Sequence, residues 1–244
     1  MTSPVPRAWR RAGEILRWRG PGHFFLLVLR EVLRPLIYWY AWNIYLTDLQ
    51  EPLPRPYAKG KFNVRIFSGE NDREIAREQL ASLGEPLPPN FAQRINRGDA
   101  LAIGHCGPEP VAFAWMTFSS GMELAYGTTW ILHPNEGTQY GTFVLPKWRG
   151  QGIHSVLNVA LNTYAREHGV LRSVGSISVL NNQSLSMAKR LGKKKIMTVI
   201  LVHVRGIGWT FRKAIGAPLH TRFAGKGVDL GHAAPARLGL GDKV

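Results

Sequence analysis

Between residues 62 and 204 the spacing of apolar positions switches repeatedly between a period of two and one of three to four, so strands and helices are expected to alternate. Phe62–Phe67 is predicted as the first strand. Asp72–Leu83 follows as an amphipathic helix with Ile75, Gln79 and Leu80 on or near its inner face. Pro86-Leu-Pro-Pro89 interrupts the chain before a short helix at about Asn90–Arg97. Ala100–Cys106 and Pro110–Phe118 form a predicted hairpin across Gly107-Pro-Glu-Pro110, and strands over 123–133 and 138–145 follow across His133-Pro-Asn-Glu-Gly137. Pro146 stops the second of these. After Arg149-Gly150-Gln151-Gly152, the residues Ile153, Val156, Leu157, Ala160, Leu161, Tyr164 and Ala165 recur at helical spacing, up to Gly169. A strand at 172–180, a helix at 182–191 and a strand at 195–204 complete the pattern. The expected class is α/β (α+β): a mixed, mostly antiparallel sheet flanked by helices.

The two ends read differently. Residues 7–19 are predicted as a short Arg/Trp-rich helix ended by Gly20-Pro21-Gly22, and a second helical run starts near His23. Arg30, Glu31, Arg34 and Pro35 interrupt that run before Leu36–Leu46, giving a basic, aromatic-rich helical extension over residues 1–50. Neither apolar piece approaches the roughly 20 residues that span a bilayer. The extension is expected to pack on the core, to lie in a membrane interface, or both. Pro52, Pro54 and Pro56 stiffen the connector into one domain over 62–204, and 205–244 forms a basic tail with a short amphipathic helix at Trp209–Ile215.

Charge adds a partner. The 244 residues carry a formal net charge of +15. Residues 1–46 hold seven arginines against Glu14 and Glu31, and residues 204–244 hold seven Arg/Lys against Asp229 and Asp242. Such ends suit an anionic surface, and a membrane face is expected ahead of nucleic acid. Cys106 is the only cysteine, so no intramolecular disulfide exists and no Cys/His cluster has zinc spacing. No secretory signal is read, and the cytoplasm, at the inner membrane face, is the expected location.

The stretch from Thr142 to Ser155 carries the chemistry. A helix entered through glycines presents unpaired N–H groups and the positive end of its dipole, and Gly150 and Gly152 let an anion approach the backbone. Arg149 adds a donor fork suited to phosphate. Val144-Leu-Pro-Lys-Trp-Arg-Gly-Gln-Gly-Ile153 resembles the acyl-CoA-binding motif of GNAT-family acyltransferases, Arg/Gln-x-x-Gly-x-Gly/Ala. Arg149 and Gly152 match it, and His154 departs from its last small position. Asn181, Ser184 and Gly192 fall on the family's later Asn-x-x-Ala/Ser…Gly spacing. The resemblance covers roughly residues 62 to 204 and implies acetyl-CoA, or another acyl-CoA, as co-substrate. It implies that Phe143, Val144 and Leu145, on a splayed strand, pair with the pantetheine, and that Arg149, Gly150, Gln151, Gly152, Ile153, His154 and Ser155 meet the pyrophosphate. Asn181 reads equally as a cofactor contact and as a helix N-cap.

The same resemblance implies transfer to an amine; the membrane-like ends direct the expected acceptor to a small molecule, sugar or lipid-linked sugar, with long-chain N-acyl amino acid synthesis as one alternative. Its usual acid and tyrosine are absent, since Gly141 and Ala188 stand there. Glu136 and Tyr140 are the nearby candidates for proton transfer. The two vacancies keep open a non-catalytic protein of this fold that binds lipid or nucleic acid through its basic surface.

Overall fold

A computed structural model describes residues 21–33, 37–84, 87–88, 90–119, 122–125, 128–204, 207–214, 222–224 and 228–229. Residues 1–20 and 230–244, with the helix expected at 7–19, lie outside the described residues. The elements in chain order begin with α1 (Pro21–Leu33), β1 (Ile37–Asp48), β2 (Asn63–Phe67), α2 (Arg73–Ser82) and α3 (Phe91–Asn96). The hairpin β3 (Ala100–Cys106) and β4 (Glu109–Thr117) is followed by the short strands β5 (Met122–Ala125) and β6 (Thr128–Ile131). Then come β7 (Glu136–Val144), α4 (Ile153–Glu167), β8 (Arg172–Ser178), α5 (Asn182–Arg190) and β9 (Lys194–Val204). The last strands are β10 (Ile207–Ala214), β11 (Arg222–Ala224) and β12 (Val228–Asp229).

Among the described residues the main sheet has nine strands in the order β12-β10-β9-β1-β8-β7-β4-β3-β2. Its pairings are antiparallel except β7 with β8 and β10 with β12. This is the mixed, mostly antiparallel sheet that the alternating pattern predicts. The residues expected as one strand at 123–133 instead form the β5/β6 hairpin, which joins β11 in a separate three-stranded sheet.

Both faces of the hairpin strands are covered, and strand alternation decides what each residue meets. Ala100 and Ala102 on β3, with Ala112, Ala114 and Met116 on β4, pack with Ile153, Leu157, Leu161 and Ala165 of α4. The small residues let α4 lie close, and a Cβ at Gly104 would stand 3.0 Å from Ile153 Cδ1. Leu101, Ile103 and Trp115 point the other way, into Ala76 and Leu80 of α2 and Phe91 and Ile95 of α3.

Two expectations at the ends are corrected. Residues 37–48 are not helical: β1 lies between β8 and β9, with Trp42 opposite Ser178 on one side and Val199 on the other. Tyr38, Trp39, Tyr40, Trp42, Ile44 and Tyr45 are aromatic or β-branched, types that fit a pleated sheet, and Trp42, Ile44 and Leu46 alternate into a core with Val174, Ile196 and Val199. The helical extension therefore contributes α1, while its second half belongs to the sheet. Likewise the amphipathic helix expected at 209–215 is replaced by β10, antiparallel to β9 with Trp209 opposite Val202.

The central placement of β1 predicts unequal effects along one strand. Ile44 is fully buried and Ile37 is 44% exposed. Ile44→Ala is expected to cost about 2–4 kcal/mol and Ile37→Ala below about 1 kcal/mol, measured by urea denaturation.

Candidate functional site

The site begins where two strands part. β7 and β8 pair in parallel only at Glu136–Arg172, Gly137–Ser173 and Thr138–Val174, although β7 continues to Val144 and β8 to Ser178. A bulge in β7 lies just past this point. Phe113 faces Phe143 and Trp115 faces Tyr140, so Gly141 and Thr142 together stand opposite Ala114. Gly141 takes φ +55°, a conformation that glycine adopts at no steric cost, and its Cα is packed against Trp115 so that an added Cβ would meet Cδ1 at 3.3 Å. Bulges bend the strand that carries them, and here the bend accompanies the separation from β8.

A buried amide cluster holds β7 to α4 at the same level. Gln139 Nε2 donates to the Asn162 side chain at 2.8 Å and to the Asn158 carbonyl at 3.1 Å, and Asn158 Nδ2 donates back to Gln139 Oε1. Asn158 and Asn162 are buried, so these bonds satisfy groups that would otherwise be costly in the core. The space between the separated strands is a cleft of about 740 Å³, lined by β7, β8 and the N-terminal ends of α4 and α5.

The α4 N-terminus opens into this cleft. Gly150 and Gly152 have φ of +79° and +84°, and Gly152 is the N-cap. Among the described residues, no backbone partner accepts from the N–H groups of Gly152, Ile153 or His154, while Ser155 N–H turns back to the Gly152 carbonyl at 2.9 Å. The need for glycine at 152 has a further cause that the sequence does not announce. The proline-rich connector passes across the helix end, where a Cβ on Gly152 would stand 2.1 Å from the Tyr57 carbonyl oxygen. Ser155 fixes that strap: its Oγ accepts from Tyr57 N–H at 3.0 Å and donates to the Tyr57 carbonyl at 2.7 Å. Lys59 N–H adds a bond to the Gln151 carbonyl at 2.9 Å. Ser155 thus anchors the connector, and Gly150, with nothing within 4 Å of an added Cβ, is the open glycine.

The other predicted residues separate into two groups. Phe143, Val144, Arg149, Gly150, Gly152, Ile153, His154, Ser155 and Asn181 line the cleft, whereas Leu145 and Gln151 do not. Leu145 instead packs among the buried side chains, and Gln151 supplies the carbonyl that the strap uses. Arg149 Nε donates to the Val144 carbonyl at 3.2 Å, bracing the end of β7. Asn181 is the N-cap of α5, its Oδ1 accepting from Ser184 N–H at 3.2 Å.

Glu136 lies at the paired end of the fork, outside the cleft lining; it is buried, and its Oε2 accepts from His133 N–H at 3.2 Å. A carboxylate committed to that turn is not in reach of the cleft as a base. Tyr140 lines the cleft, yet its hydroxyl donates to the fully buried Asp99, which also receives Arg97 at 2.9 and 2.5 Å. Arg94 stacks over the Tyr140 and Trp115 rings at 4.9 and 5.4 Å. Burial, and then the Asp99 carboxylate, push the Tyr140 hydroxyl well above its ordinary range, so it stays a neutral donor and braces β7 against the turn between α3 and β3.

Sequence reasoning missed the cationic wall opposite. The α5 helix ends in a Schellman motif: Gly192 at φ +63° donates to the Lys189 carbonyl, and Lys193 N–H donates to the Ala188 carbonyl at 3.0 Å. This turn brings Lys193 into the cleft beside His154, while Arg190 stacks on Tyr57 at 5.2 Å. No carboxylate among the described residues pairs with Lys193. Burial lowers its ammonium to about 8, and burial together with the Lys193 charge lowers His154 to about 4. The visible signal was the basic run Lys193-Lys-Lys195 directly after a helix-stopping glycine.

With its forked parallel pair and glycine-entered helix, the fold is GNAT-like. No family model matches the sequence, and no curated protein matches it. Solved structures similar in fold include a GCN5-related N-acetyltransferase from Sphaerobacter thermophilus, 20% identical with a TM-score of 0.47 over 84% of this chain and 58% of that one. The aminoglycoside N-acetyltransferase AAC(6')-Iy in complex with CoA is 18% identical, with a TM-score of 0.41 over 55% of this chain and 89% of that one. A functionally unknown conserved protein from Staphylococcus epidermidis is 12% identical, with a TM-score of 0.44 over 84% and 83% of the two chains.

Two outcomes test the geometry. Gly152→Ala is expected to destabilise by more than about 3 kcal/mol, because a left-handed cost of about 1–2 kcal/mol adds to the clash with the strap. Gly150→Ala is expected to pay only the former, and equal melting-point losses in the two would contradict the strap. Lys193→Met is expected to stabilise the protein at pH 7 by roughly 1–3 kcal/mol. Because burial lowers the folded pKa of Lys193, the unfolded chain binds the extra proton between pH 8 and 10.5. The wild-type penalty is therefore complete below about pH 8 and fades towards pH 10.5, where the two proteins should converge in denaturant titrations.

Proposed function

We propose that this chain is an acyl-CoA-dependent N-acyltransferase, with acetyl-CoA or another acyl-CoA as donor and an amine of a small molecule, sugar or lipid-linked sugar as acceptor. The observation that carries the reading is the separation of β7 from β8 directly over the open N-terminus of α4. Beyond Thr138 the facing backbone of β7 has no strand partner in β8, as an extended amide-bearing arm requires of its host. The unpartnered N–H groups at Gly152–His154 and the space beside Gly150 suit a pyrophosphate, and Arg190 and Lys193 bring positive charge to the same cleft.

An acyl thioester supplies an already activated carbonyl, so the protein's contribution is to position donor and amine and to exclude competing water. Tyr140 is held as a hydroxyl donor to Asp99 and Glu136 is committed to the His133 turn, so neither takes the amine's proton in this arrangement. The attacking amine is then the neutral fraction present in solution, which favours acceptors whose amines have depressed pKa values.

Calorimetric titration with acetyl-CoA tests this reading. Wild type is expected to bind it, and Gly150→Asp, which places a carboxylate at the open glycine without touching the Tyr57 strap, is expected to bind at least ~10-fold more weakly. Absence of binding to wild type, or equal affinity in a folded Gly150→Asp variant, would remove the assignment.

A further inference from the structure

One surface is left over by the acyl-transfer reading. On α1 the side chains of Phe25 and Val32 are 64% and 68% exposed, and those of Val28, Leu29 and Leu33 are 43%, 41% and 41% exposed. Their spacing of three and four residues places all five on one face, an arc of roughly 140° at 100° per residue. An ordinary surface helix turns this stripe inward. Here the helix is 13 residues long with no acidic residue in its first turn, and its apolar face looks outward. Two further apolar residues are exposed on the sheet. Ile37 at the start of β1 is 44% exposed and Ile200 of β9 is 39% exposed, and the register Ala41–Ile200 puts both on the same sheet face.

Charge decides what covers it. Residues 1–20, joined directly to α1, contain Arg7, Arg10, Arg11, Arg17 and Arg19 against Glu14 alone, with Trp9 and Trp18 among them. A second copy of the chain carries the same net charge of +15, which opposes self-association, whereas an anionic surface is attracted by it. Among the described residues no helix is long and apolar enough to cross a membrane, so the stripe fits a helix lying in the interface with its apolar face in the acyl boundary. We infer that α1 is a docking helix for anionic phospholipid bilayers, with its apolar stripe inserting and the positive charge of the chain favouring an anionic surface. Aromatic anchors and basic residues next to an apolar face are the combination that gives interfacial binding its salt dependence. The inference stands on α1 and its charge and is independent of the acyl-transfer reading.

The test uses the full chain and vesicles made of equal parts phosphatidylglycerol and phosphatidylcholine, with phosphatidylcholine vesicles beside them. Cosedimentation should show binding to the anionic vesicles, weaker as salt rises, and little binding to the neutral ones. Phe25→Glu with Val32→Glu should weaken that binding at least ~10-fold, while the far-ultraviolet circular dichroism and melting midpoint stay unchanged because both side chains are exposed. Should the double glutamate variant melt early, the Phe25→Ser, Val32→Ser pair gives the same readout with no added charge. Failure of the wild type to bind, equal binding by a folded variant, or equal binding to neutral vesicles would each overturn the inference. So would a dimer seen by light scattering that the variant dissociates in the absence of lipid, since the face would then belong to a second copy.

Discussion

Backbone amides need partners, and the architecture follows from where this sheet withholds them. A parallel pair that stopped at Thr138 and Val174 inside a dry core would leave donors and acceptors unsatisfied. The fork opens instead into a cleft that water or an extended ligand can enter. Gly141 and Thr142 place the bend, and Gln139 compensates for the lost neighbour by bonding across to Asn158 and Asn162. A helix clamped at that level has its first turn fixed relative to the opening, so the clamp also determines which N–H groups face it.

The α4 N-terminus serves two masters. One side is occupied permanently by the Tyr57–Lys59 strap through Ser155 and Gln151, and the other remains open at Gly150. Opposite, the cleft wall holds Lys193 beside His154, both partly withdrawn from solvent, and no carboxylate among the described residues pairs with the lysine, an arrangement that weakens the empty fold. Groups kept in such an environment are common where an anion is to be received, because the ligand supplies the missing countercharge. The Schellman turn at Gly192 makes this possible by aiming Lys193 from a helix end whose geometry leaves little choice.

Much of this was legible in the sequence where a local rule and the tertiary arrangement agree. The α4 pattern from Ile153 to Ala165 gave the helix and its buried face, and Arg149 to Gly152 marked its entry. The hairpin across Gly107 was equally readable. Segment 37–48 was not, because an aromatic-rich run with apolar residues on both faces has no clear period, and its partners lie far away in the chain. Segment 207–214 failed for a related reason: Trp209 and Phe211 followed by Arg212 and Lys213 are too short a run to separate an amphipathic helix from a strand until β9 offers an edge. At the site, Glu136 and Tyr140 were chosen by nearness along the chain. Position on a strand does not reveal that one side chain sits at the closed end of the fork and the other is tied to Asp99. An isolated glycine in a strand pattern was the available hint of the bulge at 141.

The threading of β1 between β8 and β9 has a consequence for how the chain is made. Residues 42–48 leave the ribosome well before their ladder partners, residues 172–178 and 194–199, so the middle of the sheet stays open until those segments have been made. Contacts of such long sequence separation slow folding, because loop-closure entropy is spent before the pairing rewards it. During that interval Trp39, Tyr40, Trp42 and Ile44 belong to an aromatic strand with two unpaired edges, the kind of segment that associates with other chains. The nascent protein is therefore most vulnerable to aggregation through its own central strand, and a holdase that shields residues 37–48 would aid its folding more than one acting on any later element.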